Sequence, residues 1–127
     1  MKGKVFYRCE ICGNLIGMIT DSGVVPECCG QAMTELSANT TDASHEKHVP
    51  VVEIQGNDVK VMVGEAAHPM MPEHFIEWIF LQTTQGGHRR SLSPGDAPEA
   101  HFVLGPDEKA TVAYDYCNLH GLWKKEI

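Results

Sequence analysis

The chain has 127 residues, 43% of them hydrophobic, and a formal net charge of -7 at pH 7. That length holds one ordinary core, or one modest core plus a small module that needs a staple to fold. No run approaches the roughly 20 apolar residues of a membrane span, and an acidic chain without basic stripes is a poor nucleic-acid binder. The opening "MKGKVFYRCEICG" meets Arg8, Cys9 and Glu10 before an apolar run can develop, so it does not read as a secretory signal. The cytoplasm is therefore the expected compartment, where clustered cysteines serve as metal ligands more often than as disulfides.

Residues 1–36 hold four of the five cysteines, frequent glycines and short strand-like runs such as "KVFY" and "NLIGMI". This piece has too little apolar surface to fold without a staple, and it reads as a small metal-bound domain. "SANTTDAS", residues 37–44, is small, polar and unpatterned, as in a linker. From residue 45 to 127 the texture is β-rich: "VPVVEIQ", a turn at Gly56 and Asn57, "DVKVMVG", "HFIEWIFLQTT", "GG", "HFVLG" and "KATVAYDY". Short strands punctuated by Gly, Pro and Asn predict a mainly β protein whose second domain is an antiparallel, immunoglobulin-like β-sandwich.

Cys9 and Cys12 form a C-x-x-C followed by Gly13, and Cys28 and Cys29 form an adjacent pair followed by Gly30. Four thiolates in a small domain suit a tetrahedral zinc or iron site, and spacing alone leaves both metals open. A glycine after each pair fits a tight knuckle, since it reaches positive φ without steric cost. Neighbouring side chains of an extended strand point apart, so Cys28 and Cys29 can share one ion only if the backbone bends sharply between them.

Seven histidines stand at 45, 48, 68, 74, 88, 101 and 120. His88 and His101 read as ordinary surface or core residues, because neither lies on a loop rich in other donors. His68 and His74 flank "PMMPE", where Pro69 and Pro72 stiffen the backbone, and a rigid loop suits a metal ligand. His48 in "HEKHVP" precedes the first sandwich strand, with His45 as a rival. Cys117 and His120 sit on a short loop between the last two strands. If the sandwich forms, these loops can converge.

One thiolate with several imidazoles suits iron, which accepts five ligands and leaves a sixth position open, better than zinc or copper. A blue-copper site would add an axial Met shortly after the His, and "GLWKKEI" has none. A Cys/His nucleophilic pair would leave the other histidines unexplained.

"YRCEICGN", "ECCGQAM", "EKHVP", "HPMMPEHFIEWI", "PGDAPEA" and "YCNLHGLW" together resemble the two-domain superoxide reductases called desulfoferrodoxins, across the whole chain and in the family's order. The resemblance implies a desulforedoxin-like first domain with iron on Cys9, Cys12, Cys28 and Cys29. It implies a second iron held by His48, His68, His74 and His120 in a plane, with Cys117 as axial ligand. It also implies a homodimer and a rubredoxin-like electron donor.

The implied reaction takes one electron and two protons to superoxide and gives hydrogen peroxide. An axial thiolate should favour product release but also pushes toward O–O cleavage, so backbone N–H groups of Leu119 and His120 are expected to restrain the sulfur. An acidic chain repels superoxide, yet bulk charge is screened beyond roughly 8 to 10 Å, so the local field decides. Lys47, beside His48, is the residue expected to steer the anion. Glu46, by the resemblance, closes the sixth position in the resting oxidised state. The rival functions are an iron electron-transfer protein without oxygen chemistry and a structural or metal-storage protein.

Overall fold

The computed structural model describes residues 3–127, which divide into two compact units, one ending at Ser37 and one running from Ala38 to Ile127. Each is β-built. No helix among the described residues is long and apolar enough to cross a membrane.

In the first unit, β1 (Phe6–Arg8) lies between β2 (Leu15–Gly17) and β5 (Thr34–Glu35), while β3 (Glu27–Cys28) and β4 (Gln31–Ala32) make a separate hairpin. Among the described residues its apolar nucleus is a cluster of Tyr7, Cys9 and Met33, with Val5, Met18 and Cys28 packed against it. So small a core cannot offset the chain entropy of the unit alone, and two of these six residues are cysteines.

The second unit begins its regular structure with one helical turn, α1 (His45–His48). Seven strands follow: β6 (Pro50–Gln55), β7 (Asp58–Val63), β8 (Ile76–Thr83), β9 (Gly86–Ser91), β10 (Glu99–Val103), β11 (Ala110–Cys117) and β12 (Gly121–Glu126). One sheet has the order β10-β7-β6 and the other β12-β11-β8-β9, and the pairings are antiparallel. The expected sandwich is therefore present as two facing sheets. Alternation sets the inner face: Val59, Val61 and Val63 of β7 are buried and alternate with exposed Asp58 and Lys60 and half-buried Met62, and they share a core with Ile79 and Leu81 of β8, Phe102 of β10 and Ala113 of β11.

That core ends on Cys117, which is 0% exposed. Cys117 pairs with Gly121 on one side and Ile76 on the other, and the register shifts between Tyr116 and Cys117. Such an irregularity re-aims side chains at the end of a strand. Asn39, before α1, is tied to β12: its N–H donates to Leu122 O at 3.0 Å, and its side chain exchanges hydrogen bonds with the Lys124 backbone at 2.9 and 3.2 Å.

Candidate metal centres

The first centre follows from two turns. At Cys9 to Cys12 the chain folds back so that Gly13 N–H donates to Cys9 O at 2.9 Å, and Cys12 N–H reaches the Cys9 sulfur at 3.5 Å. At the β3–β4 hairpin the two turn residues are Cys29, with φ 54°, and Gly30, with φ 76°. Both values are positive, as a two-residue type I′ turn requires. Here lies the sharp bend that the adjacent cysteine pair demanded, and it places a non-glycine residue in the left-handed region.

The four sulfurs converge, all within 4.8 Å of one another. Cys12 Sγ is 3.7 Å from Cys28 Sγ, and Cys28 Sγ is 4.0 Å from Cys29 Sγ. A tetrahedral ion with metal–sulfur bonds of about 2.3 Å sets its ligands about 3.8 Å apart, so the spacing fits a metal and is far too long for a disulfide. All five cysteines are free thiols. The Cys12 N–H holds the Cys9 thiol down at about 6, while the neighbouring sulfurs Cys12 and Cys9 push Cys29 up to about 12. Four adjacent thiolates need a cation to coexist. Asn14 adds donors, its N–H to Cys12 Sγ at 3.5 Å and its amide nitrogen to Cys28 Sγ at 3.7 Å.

The second centre gathers side chains from four places in the chain. His48, His68, His74 and His120 stand in a ring, with neighbouring centroids at 4.6 Å (48 to 68), 4.6 Å (68 to 74), 5.1 Å (74 to 120) and 4.9 Å (120 to 48), each pair edge-on. His48 and His74 face each other across it at 6.4 Å. Ligand atoms of His48, His74, Cys117 and His120 lie within 4.8 Å of one another, and His68 Nε2 is 3.2 Å from His48 Nε2. Cys117 Sγ is 3.9 Å from His120 Nδ1.

Hydrogen bonds fix which nitrogens face inward. His48 Nδ1 is 2.6 Å from Ser44 O, and His68 Nδ1 is 2.6 Å from Pro69 O. A carbonyl oxygen only accepts, so each Nδ1 carries the proton and each Nε2 presents a lone pair to the centre. His74 Nε2 is buried without a hydrogen-bond partner among the described residues. A buried ring nitrogen left without a hydrogen bond beside the other imidazoles and Cys117 suits a metal ligand. Burial lowers the basicity of His48 and His74 and takes His68 down to about 4, so these rings stay neutral and available as ligands. Burial pushes the Cys117 thiol up, while backbone N–H groups of Leu119 and His120 pull it down. Those two N–H groups are the ones expected from sequence to restrain the sulfur.

The loops are stiff. Met71 N–H donates to His74 O at 2.9 Å and His74 N–H returns to Met71 O at 3.0 Å, closing a tight turn around Pro72. Glu46 and Lys47 of α1 are exposed beside buried His48, and the Lys47 charge is felt at His74. His45 is exposed and stays outside the ring; His88 pairs with Glu108 at 2.9 Å, and exposed His101 lies 3.7 Å from Asp58.

Three further residues escaped the sequence. Trp123 stacks on His48 at 4.8 Å and donates Nε1–H to His120 O at 3.1 Å. Asn118 grips the peptide on both sides of His74. Gly64 touches the backbone of α1, and a Cβ there would lie 2.6 Å from Glu46 O. The only sequence signal for any of them was proximity to a predicted ligand.

Four imidazoles and one thiol gathered on an antiparallel sandwich, in a chain that also carries a four-thiol module, define a two-centre metalloprotein of the desulfoferrodoxin kind. A desulfoferrodoxin family profile matches residues 40–126. The desulfoferrodoxin of Syntrophotalea carbinolica is 47% identical over 122 residues, covering 94% of each chain. A superoxide reductase of Pyrococcus horikoshii is 37% identical, covering 75% of this chain and 97% of its own. Among solved structures, the superoxide reductase of Treponema pallidum superposes with a TM-score of 0.83 at 39% identity, over 98% of this chain and all of that one. The chain belongs to the desulfoferrodoxin family.

Proposed function

We propose that the protein is a superoxide reductase, with iron at both centres. The observation that carries this reading is the closed ring of four imidazoles completed by one buried thiol. When bound there, iron supplies a one-electron ferrous–ferric couple and a coordination position for a small anion. The net reaction adds one electron and two protons to superoxide and yields hydrogen peroxide.

The side chains divide the work. His48, His68, His74 and His120 hold the metal without adding negative charge, so an anion can approach it. Cys117 is the one anionic ligand, and the Leu119 and His120 N–H groups draw on its sulfur and temper its electron donation. Lys47 supplies positive potential on an otherwise acidic chain and steers superoxide to the centre. Glu46, its neighbour, would be the carboxylate that shields the site when oxidised iron is bound. His74 and His120 are only partly buried, so solvent can reach this side and deliver protons. Cys9, Cys12, Cys28 and Cys29 hold the other iron.

The same reading takes residues 1–36 as a desulforedoxin-like domain, 37–44 as a linker and 45–127 as the reductase domain. It also takes the protein as a cytoplasmic homodimer served by a small rubredoxin-like donor.

The test is the peroxide yield per superoxide consumed by pre-reduced, iron-loaded protein under anaerobic conditions, with dioxygen followed in the same vessel. One peroxide per superoxide and no dioxygen is expected. Half that yield with matching dioxygen, no faster than spontaneous dismutation, would leave an electron-transfer protein without oxygen chemistry. Cys117→Ser should remove both the thiolate-to-iron absorption and the activity.

A further inference from the structure

Trp123 is too well placed to be read as packing alone. Its indole is 0% exposed and stacks on His48 with centroids 4.8 Å apart and planes 28° apart. Its other neighbour is His45, edge-on at 5.1 Å, and His45 is exposed. Three rings in contact thus run from solvent to the four-imidazole centre in the order His45, Trp123, His48. Beside His45 lies an open groove of about 550 Å³, walled by Val52, Ile54 and Ile127 and rimmed by Glu46, Glu65 and Glu126, with Lys125 also on its lining.

We propose that the electron consumed in each turnover enters through this ring stack, from a one-electron carrier protein seated on the groove. The inference rests on the superoxide reductase reading and adds the route by which that centre is refilled. The donor loses one electron and the oxidised iron gains one; no bond is made or broken, and neither ring is altered in net. Aromatic rings in contact give the electron a shorter through-space path than a solvent gap would, and His45, edge-on to Trp123, carries the row to the surface. Apolar walls with a net acidic rim fit a carrier whose contact patch is apolar and ringed by lysine or arginine.

The probe is ferrocytochrome c, a lysine-rich one-electron carrier. Stopped-flow on the iron-loaded full chain separates two half-reactions: reduction of the oxidised protein by ferrocytochrome c, and oxidation of the pre-reduced protein by superoxide. His45→Ala should slow the first on the order of tenfold, and leave the second and the midpoint potential unchanged. His45→Phe, which restores a ring, should recover most of the rate. At equal iron content Trp123→Phe should likewise outpace Trp123→Leu. In the zinc-loaded chain, ferrocytochrome c should shift the amide resonances of Val52, Ile54 and Ile127. Undiminished reduction of His45→Ala, equal rates for the ring-bearing and ringless variants, or unmoved groove amides would overturn the route. Failure of the wild-type protein to react with superoxide would overturn the reductase reading instead, with the reduction half-reaction and its dependence on His45 still measurable.

Discussion

Asn118 holds the backbone on both sides of His74. Its Oδ1 accepts from Phe75 N–H at 2.9 Å, its Nδ2 donates to Glu73 O at 3.1 Å, and its own N–H donates to Phe75 O at 3.2 Å. Since Asn118 follows Cys117 directly, it locks the loop of one proposed ligand to the loop of another. Asn118→Ala leaves a donor and an acceptor unmade. Loss of a partner that orients a ligand typically weakens metal binding roughly 10–100-fold. Competition with a chelator, followed by the thiolate-to-iron absorption, should show that loss at the His/Cys centre while the absorption of the four-cysteine centre persists.

Lys47 is exposed on α1 between Glu46 and buried His48, in a chain of net charge -7. Its contribution is long-range attraction, worth on the order of 10 to 1,000 in on-rate and screened by salt. Lys47→Ala should slow the second-order reaction with superoxide and flatten its dependence on ionic strength, with iron content unchanged. An unaltered rate and salt slope in stopped-flow would remove Lys47 from the mechanism.

Much of both centres could be read from local spacing, because local spacing builds much of them. The C-x-x-C knuckle, the adjacent pair Cys28 and Cys29, and the prolines between His68 and His74 act within a few residues of the ligands. The sandwich was legible for the same reason: alternation in "DVKVMV" appears directly as buried Val59, Val61 and Val63. Trp123, Asn118 and Gly64 depend on long-range register. Trp123 reaches His48 from a strand 75 residues later in the chain, and Asn118 meets Glu73 across 45 residues. Nothing periodic in the sequence marks such contacts. The positive φ of Cys29 is an intermediate case, since the need for a bend was legible but the residue that bends was not.

Gly64 follows β7 directly, against the backbone of α1. A Cβ at this position would lie 2.6 Å from Glu46 O and 3.0 Å from both Lys47 C and Val49 O. These are backbone atoms, and Glu46 O is already engaged by Ala66 N–H at 3.1 Å, so the contact cannot be relieved by a side-chain rotation. Gly64→Ala must displace α1, and with it Glu46, Lys47 and His48. Overpacking of this kind costs about 1–3 kcal/mol. Urea unfolding should register the loss, and the superoxide rate should fall with it. A variant that lost stability but kept the wild-type rate would show that α1 moves as a unit without disturbing its charges.

Glu108 is a structural carboxylate that belongs to neither centre, and it predicts the acid limb of stability. Thr83 Oγ1 donates to it at 2.5 Å, Gly105 N–H at 2.9 Å, and His88 Nε2 lies 2.9 Å away. These contacts, the Thr83 hydroxyl first, carry its pKa from the ordinary 4.5 to about 2. A depressed carboxylate stabilises the fold fully above its unfolded value and loses that contribution as the pH falls toward its folded value. The window is therefore pH 4.5 down to about 2. Thermal unfolding across that window should show the midpoint dropping with acid in the wild type. Glu108→Gln cannot ionise, so it should unfold at a lower temperature at neutral pH and show a shallower acid slope. An equal slope in the two proteins would place the acid sensitivity elsewhere.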